Sequence, residues 1–200
     1  MIDLEPLRNF LPEGIRLTLF QSWLQSEPCS LKIKAPRSTK LGDFRPPRPG
    51  ALPGITLNSD LGRYQFLTTL VHEIAHLKTW NAFGRKAAPH GAAWKSQFEE
   101  MLRELATDPC LDERYRSAIL HHAQRPKSHT GADLNLYSTI LELDHETVPL
   151  LLKDLSPGED FRFRQRTFSF IELRRTRALV HEKGSGKQFT IPLLAEVERC

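Results

Sequence analysis

The residues best suited to chemistry lie in the stretch His72-Glu73-Ile74-Ala75-His76. Residues four apart on a helix lie on one face, so His72 and His76 can direct two imidazoles at one metal ion. Glu73 lies one step round the helix, beside the ion but outside its ligands. A catalytic zinc site takes three protein ligands and keeps a fourth position for water. The pattern therefore predicts a third ligand further along, and His90 is the best candidate.

Two readings of this pattern have to be compared. A motif fixed at three positions occurs by chance, and paired histidines can be ordinary core or surface residues. A metal site is favoured because apolar residues at helical spacing flank the motif, a third histidine follows, and no Pro or Gly interrupts residues 63–83. We therefore predict one Zn²⁺ ion held by His72, His76 and His90, with Glu73 as the general base that takes a proton from a zinc-activated water.

The helix that must carry the motif is predicted over about residues 61–83. Asn58, Ser59 and Asp60 are candidate N-caps, and Gly84 is a candidate stop. An apolar stripe recurs at helical spacing and faces away from the two histidines, so one face is expected in the core and the other in a cleft. The stripe consists of Phe66, Leu70, Ile74 and Leu77.

Strands are predicted before this helix and further helices after it. Residues 31–35 alternate between apolar and polar, and residues 55–58 are predicted to form an edge strand that could pair with an extended substrate. A second helix opens at His90-Gly91 and carries Trp94 as a core residue. A third is predicted over about residues 112–122, with His121 and His122 interpreted as surface residues.

In the last third of the chain the sequence pattern changes from helical to strand-like. Residues 126–133 are polar and predict a boundary, and Ser156-Pro157-Gly158 is a turn signal followed by strand-like alternation. We predict a catalytic domain over residues 1–130, a connecting segment over 131–155, and a small basic all-β module over 156–200.

Basic residues concentrate in two segments of a chain whose net charge is +4. Residues 32–48 hold six basic and one acidic residue, and residues 161–187 hold eight basic and two acidic ones. Residues 32–48 fit a surface for nucleic acid or for an acidic partner. In residues 161–187, Arg interleaved with Phe can hold phosphates and stack bases, so we predict possible DNA contact through both segments. The same alternation also fits any half-buried sheet with a solvated basic face.

Cysteine usage and the N-terminus bear on the compartment. Three scattered cysteines without a Cys-x-x-Cys pair, at positions 29, 110 and 200, fit a reducing environment. Acidic residues stand where a signal peptide carries bases, and no apolar run is long enough to span a membrane. We expect a cytoplasmic protein without a membrane partner. The sequence does not predict its oligomeric state.

Three segments together resemble the SprT-like metalloprotease family, which includes SprT and Spartan, a protease of DNA–protein crosslinks. They are residues 55–58, residues 70–76, and His90-Gly91-Ala92-Ala93-Trp94-Lys95; Leu41-Gly42-Asp43-Phe44-Arg45 is similar as well. The resemblance covers roughly residues 30–105. The Cys-rich zinc ribbon that many members carry at the C-terminus is missing, and the basic β module stands in its place.

The resemblance implies an α+β fold with a zincin-like, gluzincin-type helical core and a small antiparallel sheet. It implies a zinc metalloendopeptidase that cleaves proteins, among them DNA-associated ones, with His72, His76 and His90 as ligands and Glu73 as catalytic acid and base. Two alternatives fit the residues as well: a zinc-containing nucleic-acid or protein binding module without peptidase activity, and a peptidase without DNA dependence.

Overall fold

The computed structural model describes residues 3–200, which form two compact units, the first ending at His145 and the second covering Glu146–Cys200. The first unit therefore includes residues 131–145, which the sequence analysis assigned to a connecting segment. They belong there because Leu134–Asp144 form a helix (α5) that packs against other helices of this unit.

Helices and strands are both present in the first unit, which confirms the predicted α+β class. Its other helices are α1 (Leu17–Leu24), α2 (Arg63–Phe83), α3 (Ala92–Leu105) and α4 (Glu113–Ala123). Its strands are β1 (Ser30–Lys34), β2 (Gly42–Arg45) and β3 (Gly54–Asn58). The motif helix α2 thus begins two residues later than predicted and ends where predicted.

The three strands form a sheet in the order β1-β3-β2. β3 runs parallel to β1 and antiparallel to β2, so the predicted antiparallel sheet is wrong and the sheet is mixed. The predicted edge strand at residues 55–58 is wrong too, because β3 is the central strand. Residues 35–53 are long enough to place β2 beyond β3 and return, as a parallel pair requires. β1 and β2 are the edges.

The α2 helix is anchored as its apolar stripe predicts. Phe66, Leu70, Ile74 and Leu77 are each fully buried, and so are Leu67 and Val71 on adjoining faces. α2 packs against α3, α5, β2 and β3, so it lies at the centre of the unit. Its histidines are only half-buried.

The start of α2 is capped from a distance. The predicted caps at residues 58–60 are wrong: α2 follows Gly62, and the Asn58 side chain instead donates to the carbonyl oxygens of Arg37 and Lys40. The Asp144 carboxylate, at the end of α5, accepts hydrogen bonds from the backbone N–H groups of Tyr64 (2.8 Å) and Gln65 (2.9 Å). A Cβ at Gly62 would collide with the Asp144 carboxyl group, so the glycine makes room for the cap.

The second unit contains a five-stranded antiparallel sheet in the order β7-β6-β5-β4-β8. Alternate apolar residues such as Phe161, Phe168 and Val180 are buried on one face. The strands are β4 (Asp160–Phe163), β5 (Arg166–Arg174), β6 (Arg177–Glu182), β7 (Gln188–Pro192) and β8 (Glu198–Arg199). Across residues 3–200, no helix is both long and apolar enough to cross a membrane.

Candidate metal centre

Three histidine side chains converge at one point of the first unit. His72 and His76 extend from α2, and His90 extends from the turn before α3 with a positive φ of 56°. The Nε2 atoms are 3.1 Å apart for His72 and His76, 3.0 Å for His76 and His90, and 3.1 Å for His72 and His90. The structure therefore brings together the three residues that the sequence predicts as ligands.

The nitrogen triangle fits a small metal ion. Zn–N bonds of about 2.0–2.1 Å in a tetrahedral arrangement place their nitrogens roughly 3.3 Å apart, close to the spacing found here. Burial lowers the pKa of His72 to about 3 and that of His76 to about 4, and burial also lowers the pKa of His90. The rings are therefore neutral near pH 7 and keep the lone pairs that metal ligation needs. The cluster could hold one metal ion.

A single tryptophan supports all three rings. Trp94, in the first turn of α3, is fully buried, with its ring centroid 4.7 Å from that of His72, 5.2 Å from His76 and 4.6 Å from His90. Within the described chain its Nε1 atom has no hydrogen-bond partner. The core role predicted for Trp94 is thus also a role in fixing the histidine rings.

Glu73 follows His72 in α2, and the residue is 6 % exposed. Burial raises its pKa to about 8 and the charge of Asp43 adds to the rise, while hydrogen bonding from the Phe44 backbone opposes it. Gly42 of β2 packs directly against this side chain. A Cβ there would stand 2.7 Å from Glu73 Oε1 and 2.6 Å from Thr69 Cγ2. A strand backbone therefore limits where the carboxylate can lie.

A cavity of about 310 Å³ opens next to His72 and Glu73. One wall comes from β2 and the residues before it, and another from residues 127–130. The sequence of residues 126–133 indicates only a polar boundary, because no periodicity links them to the motif. In the structure, residues 127–130 line the same cavity as His72 and Glu73 of the motif.

His122 contradicts its predicted surface position. It is 2 % exposed, and its Nδ1 atom lies 2.7 Å from Asp133 Oδ2 at the back of the same cavity. His121 is exposed, because adjacent helix residues face different ways. Helical spacing could have predicted the burial of His122, because it follows Tyr115 and Ile119 on the buried face of α4.

Many side chains of the two basic segments are already paired. In residues 32–48, Lys40 and Arg45 pair with Asp43, and Arg37 donates to Asn58 and Thr56. In residues 161–187, Arg162, Arg166, Arg174 and Lys183 each have an acidic partner. Among the basic residues of these two segments, eight have no ion pair within residues 3–200: Lys32, Lys34, Arg37, Arg48, Arg164, Arg175, Arg177 and Lys187.

Comparison with known proteins gives one match. Residues 19–115 match the model of the SprT-like family. No curated protein and no solved structure matches the chain at a significant level. The matched segment contains the three histidines and Glu73 and ends within α4, so residues 127–130 of the cavity wall lie beyond it.

Proposed function

Because the chain belongs to the SprT-like family through residues 19–115, we propose that it is a zinc-dependent metallopeptidase that cleaves proteins. The observation that carries the proposal is the convergence of three neutral imidazole nitrogens to within 3.1 Å of one another, next to a residue whose carboxylate is buried. His72, His76 and His90 are assigned as ligands and Glu73 as the catalytic acid and base.

In the proposed mechanism, Glu73 moves the protons. A zinc ion at the histidines would polarise the scissile carbonyl and lower the pKa of a water towards about 7. Glu73 accepts a proton from the attacking water and passes it to the leaving amine. Glu73 must be ionised to accept that proton. Burial raises its pKa to about 8, whereas a neighbouring divalent cation would favour the ionised carboxylate.

The proposal includes a zincin-like, gluzincin-type core with its substrate along β2. This strand is an edge of the sheet, so its outer side can pair with an extended peptide. It also passes the reacting groups, since Gly42 packs on Glu73 and the ring of Phe44 stacks 6.2 Å from that of His76. β2 therefore replaces β3 as the expected substrate strand.

Replacing Glu73 by Gln tests the role of the carboxylate. We expect the zinc-loaded Glu73→Gln chain to keep its zinc content and to lose cleavage of an unfolded protein, because the amide cannot take the water's proton. Glu100→Gln, at an exposed position of α3, is the matched control and should cleave normally. Retained turnover in the zinc-loaded Glu73→Gln chain would contradict the role of Glu73 as catalytic acid and base.

DNA is proposed as a partner that directs this activity. Phe163, Phe189, Arg164 and Arg177 line one cavity of about 380 Å³ in the second unit, which supports contact with bases and phosphates. Several other basic residues of this segment are in ion pairs, so fewer cationic side chains are available to bind phosphates. Cleavage of a DNA-binding protein with and without single-stranded DNA, at several salt concentrations, tests the dependence. Cleavage that is indifferent to DNA would leave a peptidase whose basic residues serve another purpose.

A zinc-containing binding module remains the alternative without catalysis. A structural zinc site is expected to be closed by four protein ligands. The only histidine, cysteine or carboxylate cluster suited to a metal among residues 3–200 has three members. The open coordination favours the peptidase. Bound zinc without cleavage of any protein tried would favour the binding module.

A further inference from the structure

The cavity beside Glu73 has a wall that the family match does not cover. Residues 127–130, which lie beyond the matched segment, line it together with Gly42 of β2. A peptide lying along β2 with its scissile bond at Glu73 would direct a neighbouring side chain into this space. The cavity volume of about 310 Å³ is enough for a large side chain.

Hydrogen bonds fix the position of this wall. His122 of α4, which precedes the wall, bonds to Asp133, which follows it. The other carboxylate oxygen of Asp133 accepts a hydrogen bond from the backbone N–H of Leu136 at 3.1 Å and so caps α5. Within the wall, Thr130 Oγ1 accepts a hydrogen bond of 3.4 Å from Gln65 of α2. The wall is therefore fixed relative to the helix that carries Glu73.

The floor of the cavity presents few unpaired polar atoms. The Thr68 hydroxyl donates to the Tyr64 carbonyl oxygen and pairs with the Tyr115 hydroxyl, both at 2.8 Å. The Thr69 hydroxyl donates to the Gln65 carbonyl oxygen at 2.7 Å. Phe98, which is 1 % exposed, adds an aromatic surface. This floor suits the apolar stem of a side chain rather than its charged end.

The rim, in contrast, is basic. Lys127 and His129 are exposed there, and Lys127 has no carboxylate within ion-pair distance in residues 3–200. Lys40 also lines the cavity, but Asp43 at 2.8 Å already balances its charge. Glu73, the acidic group that lines the cavity, lies on the side of the metal cluster. A side chain in the cavity would meet the free Lys127 ammonium and the His129 ring as donors.

We infer that this cavity receives the substrate side chain next to the scissile bond and that Lys127 selects an acidic residue there. The inference rests on the proposed peptidase function and names its substrate class: proteins with Glu or Asp at this position. Glu fits best because its methylene groups can contact Phe98 while its carboxylate reaches the rim.

Peptide binding tests the inference without relying on turnover. Two short blocked peptides, identical except for a central Glu or Lys, are titrated by fluorescence anisotropy into the full zinc-loaded chain carrying Glu73→Gln. We expect the Glu peptide to bind roughly fivefold more tightly, as for one solvent-exposed ion pair, with the preference weakening at high salt. Adding Lys127→Glu should abolish or reverse this preference. Lys86→Glu, the same charge change at an exposed lysine that does not line the cavity, should preserve it.

The outcomes separate this inference from the proposed function. Equal or absent binding of both peptides, or equal effects of Lys127→Glu and Lys86→Glu, would overturn the selection of an acidic side chain whether or not the chain is a peptidase. A Lys127-dependent preference in a chain that never cleaves would support the pocket and overturn the peptidase. With an active chain, cleavage-site mapping of an unfolded protein should show Glu or Asp enriched at one position next to the cut, with the enrichment lost in Lys127→Glu.

Discussion

Gly42 lies so close to Glu73 that a Cβ on the glycine would stand 2.7 Å from Oε1 and 2.9 Å from Cγ of the glutamate. The glycine is needed here for close approach, since its side-chain hydrogen is the only substituent that fits between β2 and α2. The same strand that is expected to hold the substrate therefore also restricts the proposed catalytic carboxylate.

We expect Gly42→Ala to lower kcat by about 10- to 100-fold, because a reacting group displaced by about 1 Å can lose that much. Zinc content should stay unchanged, since the atoms nearest to the new methyl group belong to Thr69 and Glu73 and not to a histidine. Gly54→Ala on β3 is the control, because its Cβ would meet only the Ser30 carbonyl oxygen at 3.9 Å. Steady-state kinetics and metal analysis of both variants would measure this, and equal kcat values would contradict the restriction.

His90→Ala should weaken zinc binding by at least about 100-fold, more than the usual loss for a residue that only supports a ligand. The reason is that His90 supplies one of the three converging nitrogens. His129→Ala, which alters the cavity wall but not the triangle, should leave zinc affinity close to that of the unaltered chain. Competition with a chromophoric chelator gives both affinities. Unchanged zinc binding in His90→Ala would mean that the third ligand lies elsewhere.

Trp94 offers two substitutions with opposite expectations. Trp94→Ala should lower the free energy of unfolding by about 3–5 kcal/mol and weaken zinc binding, because it leaves a void against all three histidine rings. Trp94→Phe keeps an aromatic ring there and removes the buried Nε1 donor that lacks a partner, so it should stay within about 1 kcal/mol of the parent chain. Denaturant unfolding with and without zinc measures both. A loss in Trp94→Phe as large as that in Trp94→Ala would contradict this account.

Asp144→Ala should destabilise the first unit by about 1–2 kcal/mol, as expected for a lost N-cap of α2. Asp144→Asn keeps one acceptor oxygen and should lose less. Denaturant unfolding of the two variants beside the unaltered chain gives the comparison. If Asp144→Asn and Asp144→Ala lose the same free energy of unfolding, the hydrogen bonds to Tyr64 and Gln65 are not the source of the stabilisation.

The same carboxyl group predicts a pH dependence. Burial raises the pKa of Asp144, although the N–H groups of Tyr64 and Gln65 oppose the rise. A raised folded-state pKa gives stability that is fully present below the unfolded pKa and is lost as the pH rises through the folded pKa. The unaltered chain should therefore gain stability relative to Asp144→Asn as the pH falls from the folded-state pKa of Asp144 to its unfolded-state pKa. A constant difference between them across that range would contradict the raised pKa.

Features that depend on neighbours along the chain could be predicted from the amino-acid sequence. The 3.6-residue period over residues 66–77 predicted α2 and its buried stripe, because every turn of a helix repeats the same environment. The four-residue spacing of His72 and His76, with His90 after a short connection, predicted the cluster that the structure brings together. The α+β class and the SprT-like resemblance followed from the same segments, while the catalytic roles stay proposals.

Features that join distant segments of the chain could be seen only in the folded protein. Strand order put β3 in the centre and β2 at the edge, because pairing depends on where residues 35–53 lead the chain and periodicity contains no partner. Asp144 caps a helix that begins some eighty residues earlier, and His122 with residues 127–130 completes the cavity. A hydrogen bond or a cavity wall requires two surfaces to meet, and local sequence patterns specify each surface without specifying which one it will face.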